Sequence, residues 1–201
     1  MSALVEMVKA ESVRIACIGW GSLVWDPGVL RCVGSWQGDG PKLPIEFARV
    51  SRDGRLTLVL TPGADLVPTL WCAVNYNSGE AAQAALAGRE GAGVHTIGLW
   101  PGPAPRHGIG SADIAQWGKE RGVDAVIWTA LGPKFNGVDG VGPKDAGAAA
   151  AYLAGLEADQ HARACEYVRR APDQVTTGFR AALEAAIDSV SPMRLPASGQ
   201  A

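Results

Sequence analysis

The chain has 201 residues, a formal net charge of -2 and a composition that is 47% hydrophobic and 19% charged. This length favours a single domain that buries a substantial core, and the charge lacks the basic excess typical of nucleic-acid binding. No apolar stretch approaches the roughly 20 residues that cross a bilayer, and Glu6, Lys9 and Glu11 lie where a signal peptide has its apolar core. We therefore expect a cytoplasmic protein with no nucleic-acid partner and no membrane partner.

Cysteine and histidine are too scattered to predict a metal site. Cys17, Cys32, Cys72 and Cys165 include no CxxC pair. The three histidines show no HExxH-like spacing to one another or to carboxylates. The sequence therefore predicts free thiols and no metal.

Strand patterns dominate the first half of the chain. Short β-prone runs predict four strands, over residues 13–18, 45–51, 55–61 and 69–76. An Asp-Gly pair between the second and third runs indicates a hairpin. The glycine-rich stretch that separates the first two runs, from an Asp-Pro-Gly turn at residue 26 to Pro44, is typical of a loop.

Helix patterns dominate the second half. They predict helices over residues 80–90, from Ser111 as N-cap to about Arg121, over about 144–170 and over 173–190. One more strand is expected at residues 123–131. Residues 132–142 contain four glycines, which predicts a flexible loop and leaves open whether it closes over a site.

Strands followed by helices indicate an α+β fold. We expect a small, mixed, largely antiparallel β-barrel or sheet with flanking helices and a helical C-terminal part, in one domain over residues 12–190. The helical extension is expected at about 144–190 and a flexible tail at 191–201. The strand-helix-strand order of residues 69–131 keeps an α/β alternative open.

A glycine-rich loop follows the first predicted strand. It consists of Gly19, Trp20, Gly21, Ser22 and Leu23 and is called the 19–23 loop. A strand ending in Gly-x-Gly-Ser can leave successive N–H groups unpaired, because glycine tolerates positive φ and permits close approach of a ligand. Such groups favour a carboxylate, or the oxygen that becomes negative when an amide carbonyl is attacked. The alternative is an ordinary tight turn. Neither a Rossmann fingerprint nor a P-loop is present.

Glu90 closes the predicted helix 80–90. Ala82, Leu86 and Glu90 stand four residues apart, so they share the apolar face and Glu90 is expected to point inward. Burial and the helix C-terminal dipole both favour a protonated carboxyl group, which suits proton exchange near neutral pH. The alternative is a surface glutamate at a helix end, paired with Arg89.

Together these features resemble the gamma-glutamylcyclotransferase-like superfamily. The resemblance covers about residues 13–91: a strand, GWGSLVWDP, a hairpin, another strand and a helix ending in LAGREG. That family usually carries Tyr-Gly-Ser-Leu after its first strand and a catalytic glutamate near the end of a later helix. Here Gly21, Ser22 and Leu23 match the motif, Glu90 matches the glutamate, and Trp20 replaces the tyrosine. WGSLVWDP is most similar to the glutathione-degrading branch.

The resemblance implies an enzyme that converts a gamma-glutamyl amide to 5-oxoproline and a free amine. The substrate would be glutathione or a gamma-glutamyl amine or amino acid, and its own α-amino group would attack its γ-carbonyl. Because this ring closure is intramolecular, it needs positioning and proton transfer but no cofactor and no metal. Glu90 would act as general acid and base, and the 19–23 loop would bind the glutamyl group.

Two further assignments remain open. Arg49 is a candidate partner for a substrate carboxylate because its charge and fork geometry suit one, although a solvated strand edge is the alternative. A family tyrosine that assists substrate binding could correspond to Tyr152 or Tyr167, and the sequence does not choose between them.

Other functions fit the same residues. One is a non-catalytic small-molecule binding protein on the same fold, which Trp20 in place of tyrosine favours. Another is a related gamma-glutamyl amine transferase. The Ala-rich C-terminal helices also offer a face for a homodimer.

Overall fold

The computed structural model describes residues 13–105 and 107–190, which form ten β-strands and five α-helices. The strands are β1 Ile15–Gly19, β2 Cys32–Gln37, β3 Lys42–Val50, β4 Leu56–Leu60, β5 Leu66–Pro68, β6 Leu70–Val74, β7 Ile97–Trp100, β8 Ala125–Thr129, β9 Lys134–Phe135 and β10 Val138–Asp139. The helices are α1 Gly79–Glu90, α2 Ser111–Arg121, α3 Ala146–Ala154, α4 Ala158–Arg170 and α5 Arg180–Val190.

One mixed sheet has the strand order β2-β6-β1-β8-β7. Its central strand β1 pairs antiparallel with β6 and parallel with β8, with Ile18 opposite Trp128. The carboxyl ends of β1 and β8 therefore meet at one edge of the sheet. That edge places the 19–23 loop, which follows β1, beside Thr129, the last residue of β8.

The second sheet has the order β10-β9-β3-β4, and β5 pairs with the first part of β3. The β3–β4 pair is antiparallel, and Arg49 on β3 pairs in parallel with Lys134 on β9. Most neighbouring strands in both sheets are antiparallel. The α+β class is confirmed, and the described strands form two open sheets and no closed barrel.

The central strands β1 and β8 are buried on both faces, and successive side chains enter different apolar clusters. Cys17 and Ile127 pack with Leu86 on the α1 side. Ile18 and Trp128 pack on the other side, in a larger cluster that includes the second sheet and the C-terminal helices. Side chains alternate between the two faces of a strand, so Cys17 and Ile127 lie on the face of the first sheet that α1 covers.

Several predicted elements are confirmed, and turn or capping residues within a few positions define them. The β3–β4 hairpin turns at Gly54, whose φ of +85° needs glycine. Helix α1 begins with the Ser78 hydroxyl accepting from Ala81 N, and it ends at Gly91, which is left-handed at φ 58°. β1, β6 and β8 also lie where strands are predicted.

Two predicted loops are wrong because they contain strands. β2 and the start of β3 lie within residues 26–44, and the short β9–β10 hairpin lies within 132–142. That hairpin turns at Asn136 and Gly137, both at positive φ, so the Asn-Gly pair was an unused local signal. β5 and β7 were also not predicted.

The helix boundaries need three corrections. The predicted helix 144–170 is two helices, α3 and α4, with a break at Gly155. Helix α5 begins at Arg180 rather than near residue 173, and the Arg180 guanidinium binds the carbonyls of Ala171, Pro172 and Val175 in the segment that precedes it. Gly110, not Ser111, is the N-cap of α2.

The predicted tail 191–201 and residue 12, where the predicted domain starts, lie outside the described residues. Across 13–105 and 107–190, no helix has the length and apolar character needed to cross a membrane.

Candidate active site

A cleft of about 1450 Å³ opens where the 19–23 loop, the β3–β4 hairpin, the end of α1 and one side of α4 meet. All seven residues predicted as site residues line it: Gly19, Trp20, Gly21, Ser22, Leu23, Arg49 and Glu90. Its volume exceeds that of a typical small-ligand pocket, about 300–1,000 Å³. Two features predicted separately from the sequence therefore share one cavity.

The 19–23 loop ends β1 and enters a short 3-10 turn, Ser22–Val24. The first N–H groups of a helical turn have no partner inside it, and no acceptor among the described residues bonds the N–H groups of Gly21, Ser22 or Leu23. Neither glycine has the positive φ that the sequence interpretation invoked. These N–H groups belong instead to the start of a 3-10 turn.

Close packing explains both glycines of the loop. A Cβ on Gly19 would lie 2.7 Å from the Trp36 ring, and a Cβ on Gly21 would lie 2.5 Å from the Tyr167 hydroxyl oxygen. Both distances are too short for a carbon atom. Any side chain at either position would therefore displace a neighbouring aromatic residue.

The Trp20 indole lies in the core, with 5% of the residue exposed. Its Nε1 donates to the Leu58 carbonyl at 3.2 Å, and the Leu58 N–H donates to the Tyr167 hydroxyl at 3.2 Å. β4 is an edge strand of its sheet, so these two aromatic residues satisfy backbone groups that no neighbouring strand pairs. Trp20 thus anchors the loop to β4 through its indole N–H.

Glu90 points inward from the last turn of α1, as its spacing predicts. Ala82 and Leu86 on the same face are fully buried, and the Glu90 side chain is 17% exposed. Its Oε1 lies 2.7 Å from Arg89 Nη1 and accepts from the Thr129 hydroxyl at 3.3 Å. Glu90 is thus both inward-facing and paired with Arg89, although the sequence interpretation treated these as alternatives.

Arg89 connects α1 to the 19–23 loop. Its side chain is 11% exposed, and its Nη2 donates to the Ser22 hydroxyl at 3.2 Å and to the Asp26 carbonyl at 2.6 Å. Nε donates to the same carbonyl at 3.1 Å. One guanidinium thus holds the carboxylate and the loop together, a contact that no local sequence pattern signals.

Arg49 is partly buried in the cleft wall, where its Nη1 donates to the Gly132 carbonyl at 3.0 Å. Burial lowers the pKa of its guanidinium, although it remains charged near neutral pH. Within the described residues no carboxylate lies within 4.0 Å of it. Arg49 is therefore a cation with donors available to an anionic ligand.

The cleft wall carries a surplus of positive charge. Seven cationic side chains line it against four acidic ones. The cations are Arg49, Arg52, Arg55, Arg89, Lys134, Arg163 and Arg170. Because the whole chain has a net charge of -2, this surplus is local to the cleft and favours a ligand with carboxylate groups.

The structure separates the two candidate tyrosines. Tyr167 lies in the cleft wall beside Gly21, and burial raises its pKa to about 12, so its hydroxyl stays protonated at neutral pH. Tyr152 is not in the cleft wall, and its hydroxyl donates to the Gly54 carbonyl at 2.8 Å. Placing Tyr167 in the site required the packing of α4, which the sequence pattern does not contain.

No protein-family model matches the chain, and no curated protein matches it. Across residues 13–105 and 107–190, no group of three or more His, Cys, Asp or Glu side chains is placed to hold a metal ion.

Proposed function

We propose that this protein is a gamma-glutamylcyclotransferase-type enzyme with the fold of that superfamily. It converts a gamma-glutamyl amide to 5-oxoproline and a free amine. The observation that carries the proposal is the shared cleft: Glu90 and the 19–23 loop are far apart in the sequence, and Arg89 holds both.

The substrate supplies its own nucleophile. Its α-amino group attacks the γ-carbonyl, a C–N bond forms to close the five-membered ring, and the bond to the leaving amine breaks. Holding the two groups in contact supplies much of the rate, because an intramolecular attack by oriented groups has a high effective concentration. No serine or cysteine nucleophile is required.

Glu90 serves proton transfer in this proposal. Its carboxylate takes a proton from the α-ammonium group, which frees the attacking lone pair, and it later delivers a proton to the departing amine. Such general acid–base catalysis typically contributes about 10² to 10⁴ in rate. The location of Glu90 in the cleft, partly shielded from solvent, supports this role.

The 19–23 loop and Arg49 bind the substrate's charged ends in this proposal. The unpaired N–H groups of Gly21, Ser22 and Leu23 suit a carboxylate or a developing oxyanion. Arg49 suits a second carboxylate, and the cationic surplus of the cleft supports an anionic substrate such as glutathione. No cofactor or metal takes part in any of these steps.

A substrate panel tests the proposal directly. The purified protein is incubated with glutathione, gamma-glutamyl amino acids and gamma-glutamyl amines, and 5-oxoproline is quantified by mass spectrometry. Glu90→Gln keeps the size of the side chain and removes the base, so turnover should fall by about 10² or more. Glu80→Gln, the same exchange on the exposed first turn of α1, is the matched control and should keep wild-type turnover.

Turnover that survives Glu90→Gln unchanged would exclude Glu90 as the base. Binding of gamma-glutamyl compounds with no 5-oxoproline from any of them would favour the binding-protein alternative. Transfer of the glutamyl group to an added amine would identify the related transferase.

A further inference from the structure

The two oxygens of the Glu90 carboxylate have different surroundings. Oε1 accepts from Arg89 Nη1 at 2.7 Å and from the Thr129 hydroxyl at 3.3 Å. No donor within residues 13–105 and 107–190 bonds Oε2. The two donors come from different elements, the last turn of α1 and the end of β8.

On the basis of the proposed cyclotransferase function, we infer that Arg89 and Thr129 are positioning residues: they hold Oε1 and leave Oε2 as the oxygen that takes and returns the proton. Two donors on one oxygen fix the plane of the carboxylate as well as its position. A carboxylate held in one rotamer is already oriented toward the substrate ammonium group when the substrate binds. Holding reacting groups in the productive geometry increases the rate.

The Arg89 contact differs from an ordinary surface ion pair. Exposed pairs contribute little because water competes for both partners, whereas here the side chains are 11% and 17% exposed. The same guanidinium also bonds Ser22 and Asp26 on the loop side of the cleft. Only a planar group with several donors can serve these partners at once, so Arg89 sets the separation between the base and the loop.

The titratable groups that interact with the Glu90 carboxylate include Arg89 from α1, Cys17 from β1 and Tyr167 from α4. Burial raises the pKa of Cys17 well above its ordinary value and that of Tyr167 to about 12. Both therefore stay neutral between about pH 5 and 9. Arg89 is therefore the charged partner that the Glu90 carboxylate contacts.

The test uses the full chain and 5-oxoproline formation across pH 5 to 9. Arg89→Gln should lower kcat by about 10- to 100-fold, the size of effect expected when a reacting group is misplaced, with a smaller change in KM. A loss of kcat that persists across this pH range indicates a misplaced carboxylate rather than a change in its charge. Arg14→Gln, in an exposed ion pair outside the cleft, is the matched control.

Arg89→Lys separates charge from geometry. An ammonium beside Glu90 keeps the positive charge but lacks the planar set of donors that the guanidinium offers. It cannot span both Glu90 and the loop, so kcat should remain below wild type. A purely structural role for Arg89 predicts that a folded Arg89→Lys protein has the kcat of wild type.

A double-mutant cycle tests the shared oxygen. Thr129→Val removes the second donor to Oε1, and its effect on kcat should be smaller once Arg89 is already replaced by Gln. Fully independent effects of the two substitutions would overturn the inference, as would Arg89 variants that behave like Arg14→Gln in an active protein. If the wild-type protein yields no 5-oxoproline from any substrate, the proposed function fails and this inference fails with it.

Discussion

Gly21→Ala is expected to destabilise the fold by displacing Tyr167. The added methyl carbon would lie 2.5 Å from the Tyr167 hydroxyl oxygen, and overpacking of this kind typically costs about 1–3 kcal/mol. If the hydroxyl moves, the Leu58 N–H loses its acceptor, which adds about 1 kcal/mol. The free energy of unfolding should therefore fall by about 2–4 kcal/mol in total.

Urea unfolding followed by circular dichroism measures this change. Each kcal/mol lowers Tm by roughly 2–4 °C in a domain of this size, so a thermal scan should show a drop of at least about 4 °C. Gly88→Ala is the matched control, because no atom lies within 4 Å of its added Cβ. That substitution should raise stability by about 0.5–1 kcal/mol, as expected for glycine in a helix.

Tyr167→Phe isolates the cause. Without the hydroxyl, the nearest remaining ring atom to the new methyl group is Cζ at 3.6 Å, an ordinary contact. Gly21→Ala should then cost little in the Phe background. Equal costs of Gly21→Ala in both backgrounds would refute the steric explanation.

Two further predictions concern buried polar groups. Trp20→Phe removes the bond to Leu58 O and should lower the free energy of unfolding by about 1–3 kcal/mol, with KM for the substrate unchanged; a large rise in KM would place the indole in substrate binding. Burial raises the pKa of the Glu46 carboxyl group in the folded protein above its ordinary 4.5. The folded state therefore holds this proton more firmly than the unfolded state does. The resulting stabilisation is complete below pH 4.5 and is lost as the pH rises through the folded-state pKa. Urea unfolding should show that the free energy of unfolding of wild type, relative to that of Glu46→Gln, falls between about pH 4.5 and 7. A difference that stays constant or grows over this range would contradict the prediction.

Local signals alone predicted the parts of the fold that neighbouring residues control. The β3–β4 hairpin follows from an Asp-Gly pair between two apolar runs, and α1 follows from its composition with a glycine stop at Gly91. The inward direction of Glu90 follows from its four-residue spacing to Leu86. Each of these depends on backbone geometry within a few residues.

Two edge strands of the first sheet, β2 and β7, were not predicted, for a physical reason. β2 is largely exposed and contains Gly34, so its apolar alternation is weak, and only pairing with the distant β6 makes it a strand. β7 likewise depends on pairing with β8. Propensity in a strand reflects its neighbours in the sheet more than its own sequence.

The contacts that complete the candidate site came only from tertiary structure. Parallel pairing of β1 with β8 brings Thr129 to Glu90, and packing of α4 brings Tyr167, rather than Tyr152, to the loop. By itself the sequence predicted the inward direction of Glu90 and a glycine-rich loop after the first strand, because helix periodicity and residue composition are local. It could not determine that Arg89 joins them, since that contact depends on how the end of α1 packs against a loop more than 60 residues earlier in the chain.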